Sequence, residues 1–145
     1  MISIGEVLPH RPPMLFVDKV IELVPGDRIT CTYTVTGSAS MPGVLVLESW
    51  AQAALLLILW DDPQPEARAS SVPIVGRFGG VRFGRNVLPG QTIEHRVELS
   101  RLIAGTAFLT GRSLIDGEIV LEVDRLVGGT RPAKDLRIPA ERNAR

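Results

Sequence analysis

Hydrophobic positions in this chain fall into one long unbroken run and several shorter alternating stretches. Residues 44–60 read VLVLESWAQAALLLILW, with Glu48, Ser49 and Gln52 as the only polar members. As a helix the run is about 25 Å long at ~1.5 Å per residue. Met41-Pro42-Gly43 sets a proline at its start, where a missing N–H costs little, and Asp61-Asp62-Pro63 ends it. A helix apolar around its circumference is either a membrane span or a helix buried inside a globular domain. This run is short for a span, carries its polar residues in one half and ends on paired acids, so it predicts a buried helix and no membrane insertion.

Elsewhere the period shortens to two. Residues 28–36 alternate, with Ile29, Cys31, Tyr33 and Val35 on one face. Residues 14–24 are rich in Val, Ile, Leu and Phe and predict a strand, closed by a Pro25-Gly26 turn. Residues 72–83 predict a strand interrupted by Gly76, Gly79 and Gly80, the signature of a bulge or a close backbone approach. After a Pro89-Gly90 turn come strands at 92–102, 106–115 and 118–127, and Asp116-Gly117 is the strongest hairpin signal in the chain. The expected organisation is a single domain over residues 1–127 and a polar tail over 128–145. Strands on both sides of one apolar helix predict an α+β fold in which an antiparallel sheet wraps the helix, the layout of a hot-dog fold. One sheet over one helix leaves a sheet edge open, so dimerisation is expected.

Composition narrows the partners. The 145 residues carry 16 basic and 16 acidic side chains, for a formal charge of zero, which disfavours a phosphate-backbone partner and so nucleic acid. A lone cysteine, Cys31, excludes an internal disulfide and a multi-cysteine zinc site. Two scattered histidines, His10 and His95, argue against a histidine-based metal centre. Residues 1–6 have no basic, export-type pattern, and a cytoplasmic location is expected.

Three motifs carry a family resemblance. Leu8-Pro9-His10-Arg11-Pro12-Pro13-Met14-Leu15-Phe16-Val17-Asp18-Lys19-Val20 resembles the opening of bacterial 3-hydroxyacyl-acyl-carrier-protein dehydratases. Met41-Pro42-Gly43-Val44-Leu45-Val46-Leu47-Glu48-Ser49-Trp50-Ala51-Gln52-Ala53 resembles their central helix. Arg82-Phe83, followed by Val87-Leu88-Pro89-Gly90-Gln91, resembles their strand and turn after it. The resemblance implies dehydration of a 3-hydroxyacyl thioester to the trans-2-enoyl thioester in fatty acid or polyketide biosynthesis. A histidine removes the α-proton, and a carboxylic acid from the other subunit protonates the departing hydroxyl. It implies no metal and no cofactor beyond the phosphopantetheine that arrives on acyl carrier protein. Glu48 matches the carboxylate, Gln52 its supporting amide, and Gly43 the helix-start glycine whose N–H polarises the thioester carbonyl. Val44, Leu47 and Phe83 are expected beside the acyl group. Arg82 and Arg85, with Arg77 and Arg101, are candidates for a basic rim facing the acidic carrier protein, against the alternative of ordinary solvated arginines.

The family's Gly-His-Phe-Pro loop, which bears the catalytic histidine, is missing. Only Gly37-Ser38-Ala39-Ser40 separates Thr36 from Met41. The leading expectation is one half of a heteromeric dehydratase, paired with a second hot-dog subunit that carries the histidine. The alternatives are a non-catalytic scaffold or acyl-binding subunit, or a Glu48-dependent thioesterase, in either case otherwise a homodimer. His10 reads as a structural histidine bonded to nearby backbone, and His95, between Glu94 and Arg96, as a solvent-facing residue. Cys31 reads as core, and Trp50 and Trp60 as packing or interface residues.

Overall fold

Alternation and turn chemistry build a six-stranded antiparallel sheet, ordered β1-β2-β4-β5-β6-β3, around one long helix. The computed structural model describes residues 3–60 and 71–132. In chain order the elements are α1 (Ile4–Val7), β1 (Lys19–Val24), β2 (Arg28–Thr34), α2 (Gly43–Leu59), β3 (Ser71–Phe83), β4 (Thr92–Ile103), β5 (Thr106–Ile115) and β6 (Glu118–Pro132). The expected hot-dog layout is the observed one. The β5–β6 connection uses Asp116 and Gly117, with φ of 49° and 82°, the pair of left-handed residues that a tight hairpin needs. The β4–β5 connection has the same form, with Ala104 at φ 50° and Gly105 at φ 80°.

Helix α2 packs on β2, β4, β5 and β6. Its buried side, which includes Val46, Trp50, Ala53 and Leu57, meets Ile29, Cys31, Ile93, Val97 and Leu121 in one core. Trp50 is fully buried, and its indole N–H donates to the Arg96 carbonyl at 3.1 Å. Gly111, on the neighbouring strand, leaves room for this arrangement: a Cβ there would overlap the Arg96 carbonyl and stand 3.1 Å from Trp50 Cζ2. No described helix is long and apolar enough to cross a membrane.

Three boundaries differ from expectation by two residues or more. Ladder pairing of β1 begins at Lys19, because the Met14 carbonyl and both backbone groups of Phe16 bond to α2 side chains instead of to a strand. Residues 14–16 form a strap over the helix. Strand β2 stops at Thr34, two residues short of the expected end. Strand β6 runs on to Pro132, so residues 128–132, expected in the tail, are sheet. Gly128-Gly129 reads locally as a breaker, but β3 pairs with it, Ile74 opposite Gly129 and Val75 opposite Gly128. The expected bulge in β3 is a register shift between Val75 and Arg77. The Asp61-Asp62-Pro63 stop and residues 133–145 lie outside the described residues.

Candidate functional site

Residues 48, 51, 52, 55 and 58 recur at helical spacing and form one stripe of α2. Gln52 is 1% exposed, and strap and helix use both ends of its amide. Its Oε1 accepts from the Phe16 N–H at 2.8 Å, and its Nε2 donates to the Met14 carbonyl at 2.8 Å. A backbone N–H on one side and a carbonyl on the other allow only one orientation of the amide. That orientation directs Nε2 toward the Glu48 carboxylate, with Oε1 of Glu48 at 3.2 Å. Glu48 is therefore oriented by a residue that is itself held at two points, while its side chain stays 40% exposed.

His10 shares the site. Its Nε2 lies 3.4 Å from Glu48 Oε1, and its Nδ1 is buried with no hydrogen-bond partner among the described residues. The expected bond from His10 to nearby backbone is not the arrangement found. In this segment Arg11 donates from Nη1 to the carbonyls of Leu8 and His10. His10 precedes Glu48 by 38 residues, and only the strap brings the two together.

Behind these groups is a cavity of about 110 Å³, lined by His10, Glu48 and Gln52 and by the apolar Ala51, Leu55, Ile58, Leu109 and Leu126. It follows α2 from Glu48 to Ile58, about 15 Å of helix axis. Strands β5, β6 and β3 form the opposite wall, where Gly128 and Gly129 contribute no side chains. Ala51, Leu55 and Ile58 are cavity residues that the Glu48–Gln52 pair does not mark in the sequence, although they continue its stripe at helical spacing.

The expected substrate-binding residues lie outside this cavity. Gly43, Val44, Leu47 and Phe83 do not line this cavity. Gly43 opens α2 beneath the Phe83 ring, where a Cβ would come within 2.6 Å of Phe83 Cδ1. Val44 and Phe83 are 65% and 53% exposed, an apolar surface at the start of α2, and Leu47 is half-buried against the core. Pro42, the residue before the helix, offers no capping side chain, so the first N–H groups of α2 lack the usual side-chain acceptor.

Arg82 and Arg85 are not free cations. Arg82 donates to Glu122 at 2.8 Å and to both oxygens of Asp124, at 2.9 and 3.0 Å. These carboxylates hold Arg82 firmly charged, and Arg82 in turn lowers the Asp124 carboxyl below its ordinary value. Arg85 lies 3.4 Å from Glu118 and donates to Gln91 Oε1 at 3.1 Å. Register explains the pairing at Arg82, since β3 sets it opposite Glu122 on β6.

His95 is the clearest correction. Expected at the surface, it is 0% exposed, and burial pushes its imidazole down to about 3. Its side chain points with Ile93 and Val97, the inward parity of β4, while Glu94 and Arg96 point the other way. Ser49 lies 2.6 Å from His95 Nε2, and Ser113 lies 2.7 Å from Nδ1; both are fully buried. Cys31 is core as expected, its thiol pushed up to about 12 by burial. Among the described residues no group of three or more His, Cys, Asp or Glu side chains forms a candidate metal site.

Comparison with known proteins assigns the lineage. A model of the FabA-like domain matches residues 8–124. The 3-hydroxyacyl-[acyl-carrier-protein] dehydratase FabZ of Anaeromyxobacter sp. (strain K) is 34% identical over 135 residues, 86% of each chain. The protein of the same name from Oenococcus oeni is 37% identical over 86% of this chain and 94% of its own. Among solved structures, the dehydratase heterocomplex ApeI:P from Xenorhabdus doucetiae superposes with a TM-score of 0.79 at 19% identity, over 94% of this chain and 95% of that one. A hypothetical thioesterase from Streptococcus pneumoniae, solved with coenzyme A, gives 0.59 at 9% identity, over 79% and 85%. At such identities the structures speak for a shared fold alone. The family model spans the strap, α2 and the sheet into β6, relatives more than 30% identical cover 86% of the chain, and on that ground the chain belongs to the FabA-like domain family.

Proposed function

We propose that this chain is a dehydratase subunit acting on 3-hydroxyacyl thioesters of acyl carrier protein in fatty acid or polyketide biosynthesis, with Glu48 as its acid. The observation that carries this reading is a carboxylate, oriented by an immobilised amide, at one end of an apolar cavity along α2. The cavity is smaller than the ~300 Å³ at which drug-sized pockets begin, a volume suited to part of an acyl chain. In the reaction a base takes the α-proton. The developing enolate charge is stabilised by N–H groups at the uncapped start of α2, Gly43 foremost. The Glu48 carboxyl protonates the β-hydroxyl, which leaves as water. Val44, Leu47 and Phe83, at the helix start, would meet the thioester arm. The phosphopantetheine arrives on the carrier protein, so the chain needs no cofactor of its own. A carrier protein docking through Arg82 or Arg85 would have to compete with Glu122, Asp124 and Glu118.

The base comes from a second hot-dog chain. Segment 37–40 offers no imidazole, and the fold relative named a dehydratase heterocomplex supports pairing of unlike chains. A specific observation favours a second reading, in which His10 is the base within one chain. With one proton shared between His10 and Glu48, neutral His10 takes the α-proton while Glu48 gives its own to the leaving hydroxyl. Transfer across their 3.4 Å contact would then restore the starting state.

Mass-spectrometric assay of 3-hydroxyacyl-carrier-protein conversion separates these readings. The heteromer reading expects little turnover by the chain alone and rapid enoyl formation when it is mixed with a histidine-loop dehydratase. Glu48→Gln in the mixed dimer should then slow the reaction by ~10²–10⁴-fold. Turnover by the homomer that disappears in His10→Gln supports the second reading. Mixed dimers indifferent to Glu48→Gln make the chain a scaffold, and Glu48-dependent release of free acid makes it a thioesterase.

A further inference from the structure

The buried groups around His95 form a hydrogen-bond chain whose direction is set by donor counting alone. The Phe16 carbonyl can only accept, so the single proton of Ser49 Oγ, 2.7 Å away, goes to it. Ser49 Oγ must then accept from His95 Nε2 at 2.6 Å, which requires the proton on Nε2. A neutral imidazole protonated there has a bare Nδ1, and Nδ1 accepts from Ser113 Oγ at 2.7 Å. The order is Ser113 to His95 to Ser49 to Phe16, from β5 through β4 and α2 to the strap. Ser49, His95 and Ser113 are each 0% exposed, so the groups bond to one another away from bulk solvent. Burial holds the imidazole in the neutral form that this order requires.

The hydrogen-bond chain ends on Phe16, the residue whose backbone is also tied to Gln52. The Phe16 carbonyl is held by Ser49, and its N–H is held by Gln52 Oε1 at 2.8 Å. The same Gln52 side chain reaches Glu48 through Nε2. A serine within a helix has a competing option, bonding back to the carbonyl one turn earlier. The N–H of His95 engages the Ser49 oxygen while the Ser49 proton serves the strap.

We infer that His95 is a positioning residue: through Ser49 and the Phe16 backbone it locks the strap to α2 and so sets the place of Gln52 and Glu48. It touches no substrate and acts only through these groups. The catalytic part of this inference rests on the dehydratase reading above; the structural part does not.

Two measurements test it. The first is amide hydrogen exchange at Phe16, read by NMR against Val97 as an internal reference in the core. His95→Leu removes both the donor and the acceptor. His95→Gln keeps one of each and serves as the rescue variant. Expected is a loss of Phe16 protection of about tenfold in His95→Leu, with His95→Gln near the parent. Ser49→Ala should produce the same loss, and it replaces His95→Leu if that variant does not fold. Unchanged Phe16 protection in Ser49→Ala overturns the inference. The second is turnover in whichever assembly is active. His95→Leu or Ser49→Ala should lower kcat by ~10-fold or more with KM within about twofold, because the site is misplaced while the cavity is intact. A kcat equal to the parent's despite lost protection overturns the catalytic part. Should no assembly of the parent chain dehydrate, the dehydratase reading fails, and the exchange result still decides the role of His95.

Discussion

Acid should destabilise this protein through a single buried imidazole. An ordinary histidine titrates near ~6.5 in the unfolded chain. In the folded protein, burial pushes His95 down to about 3. Between those values the unfolded chain binds a proton that the folded chain refuses, so stability falls as pH falls. The loss begins near pH 6.5, grows by ~1.4 kcal/mol per pH unit and stops growing below about pH 3. Relative to pH 7, it amounts to about 2 kcal/mol at pH 5 and roughly 3 kcal/mol at pH 4. Set against a typical total of ~5–15 kcal/mol, that is a large share. The measurement is urea unfolding at pH 7, 6, 5 and 4, followed by tryptophan fluorescence, for the parent and for His95→Gln. The glutamine can donate to Ser49 and accept from Ser113 but does not titrate, and the carboxylates and His10 cancel in the difference. Expected is a parent that loses its margin over His95→Gln by about 2 kcal/mol between pH 7 and pH 5. Parallel stability curves for the two proteins would refute the reasoning, because His95 would then protonate equally in both states.

Gln52→Leu leaves the Phe16 N–H and the Met14 carbonyl without their partner, and urea unfolding should find it destabilised by roughly 2–4 kcal/mol. Ala104→Gly relieves a left-handed alanine at the β4–β5 turn and should add ~1 kcal/mol of stability, seen as a Tm rise of about 2–4 °C. Gly111→Ala forces a methyl group against the Arg96 carbonyl and Trp50, and should cost about 1–3 kcal/mol in the same unfolding assay. Leu55→Trp fills the cavity beside Glu48. In an acyl-chain-length series it should lower kcat/KM for long chains more than for short ones, and an equal effect on both would argue against the cavity as the acyl site.

Much of the fold is legible in the amino-acid order because its signals are local. The run ending in LLLILW, with Pro42 before it, makes α2 recognisable without any knowledge of the sheet. Asp116-Gly117 marks its hairpin because left-handed backbone is cheap for those residue types. Glu48 and Gln52 stand out as polar positions one turn apart on an apolar helix, and their contact at 3.2 Å follows from helical geometry. The remaining features depend on what is brought opposite. Gly128-Gly129 is strand because β3 supplies partners for its backbone. Arg82 is ion-paired because register sets it beside Glu122, 40 residues along the chain. His95 has the inward parity of Ile93 and Val97, yet its flanking charges suggest solvent. What makes its burial tolerable is a pair of serines, 46 residues before it and 18 after. His10 joins Glu48 only through the strap. Periodicity and turn propensity act between neighbours in sequence, so the chain by itself determined its helix, its hairpins and one face of the candidate site. A buried polar group is stable only when distant groups complete its hydrogen bonds, and so the partners of His10, His95 and Arg82 were decided by tertiary structure.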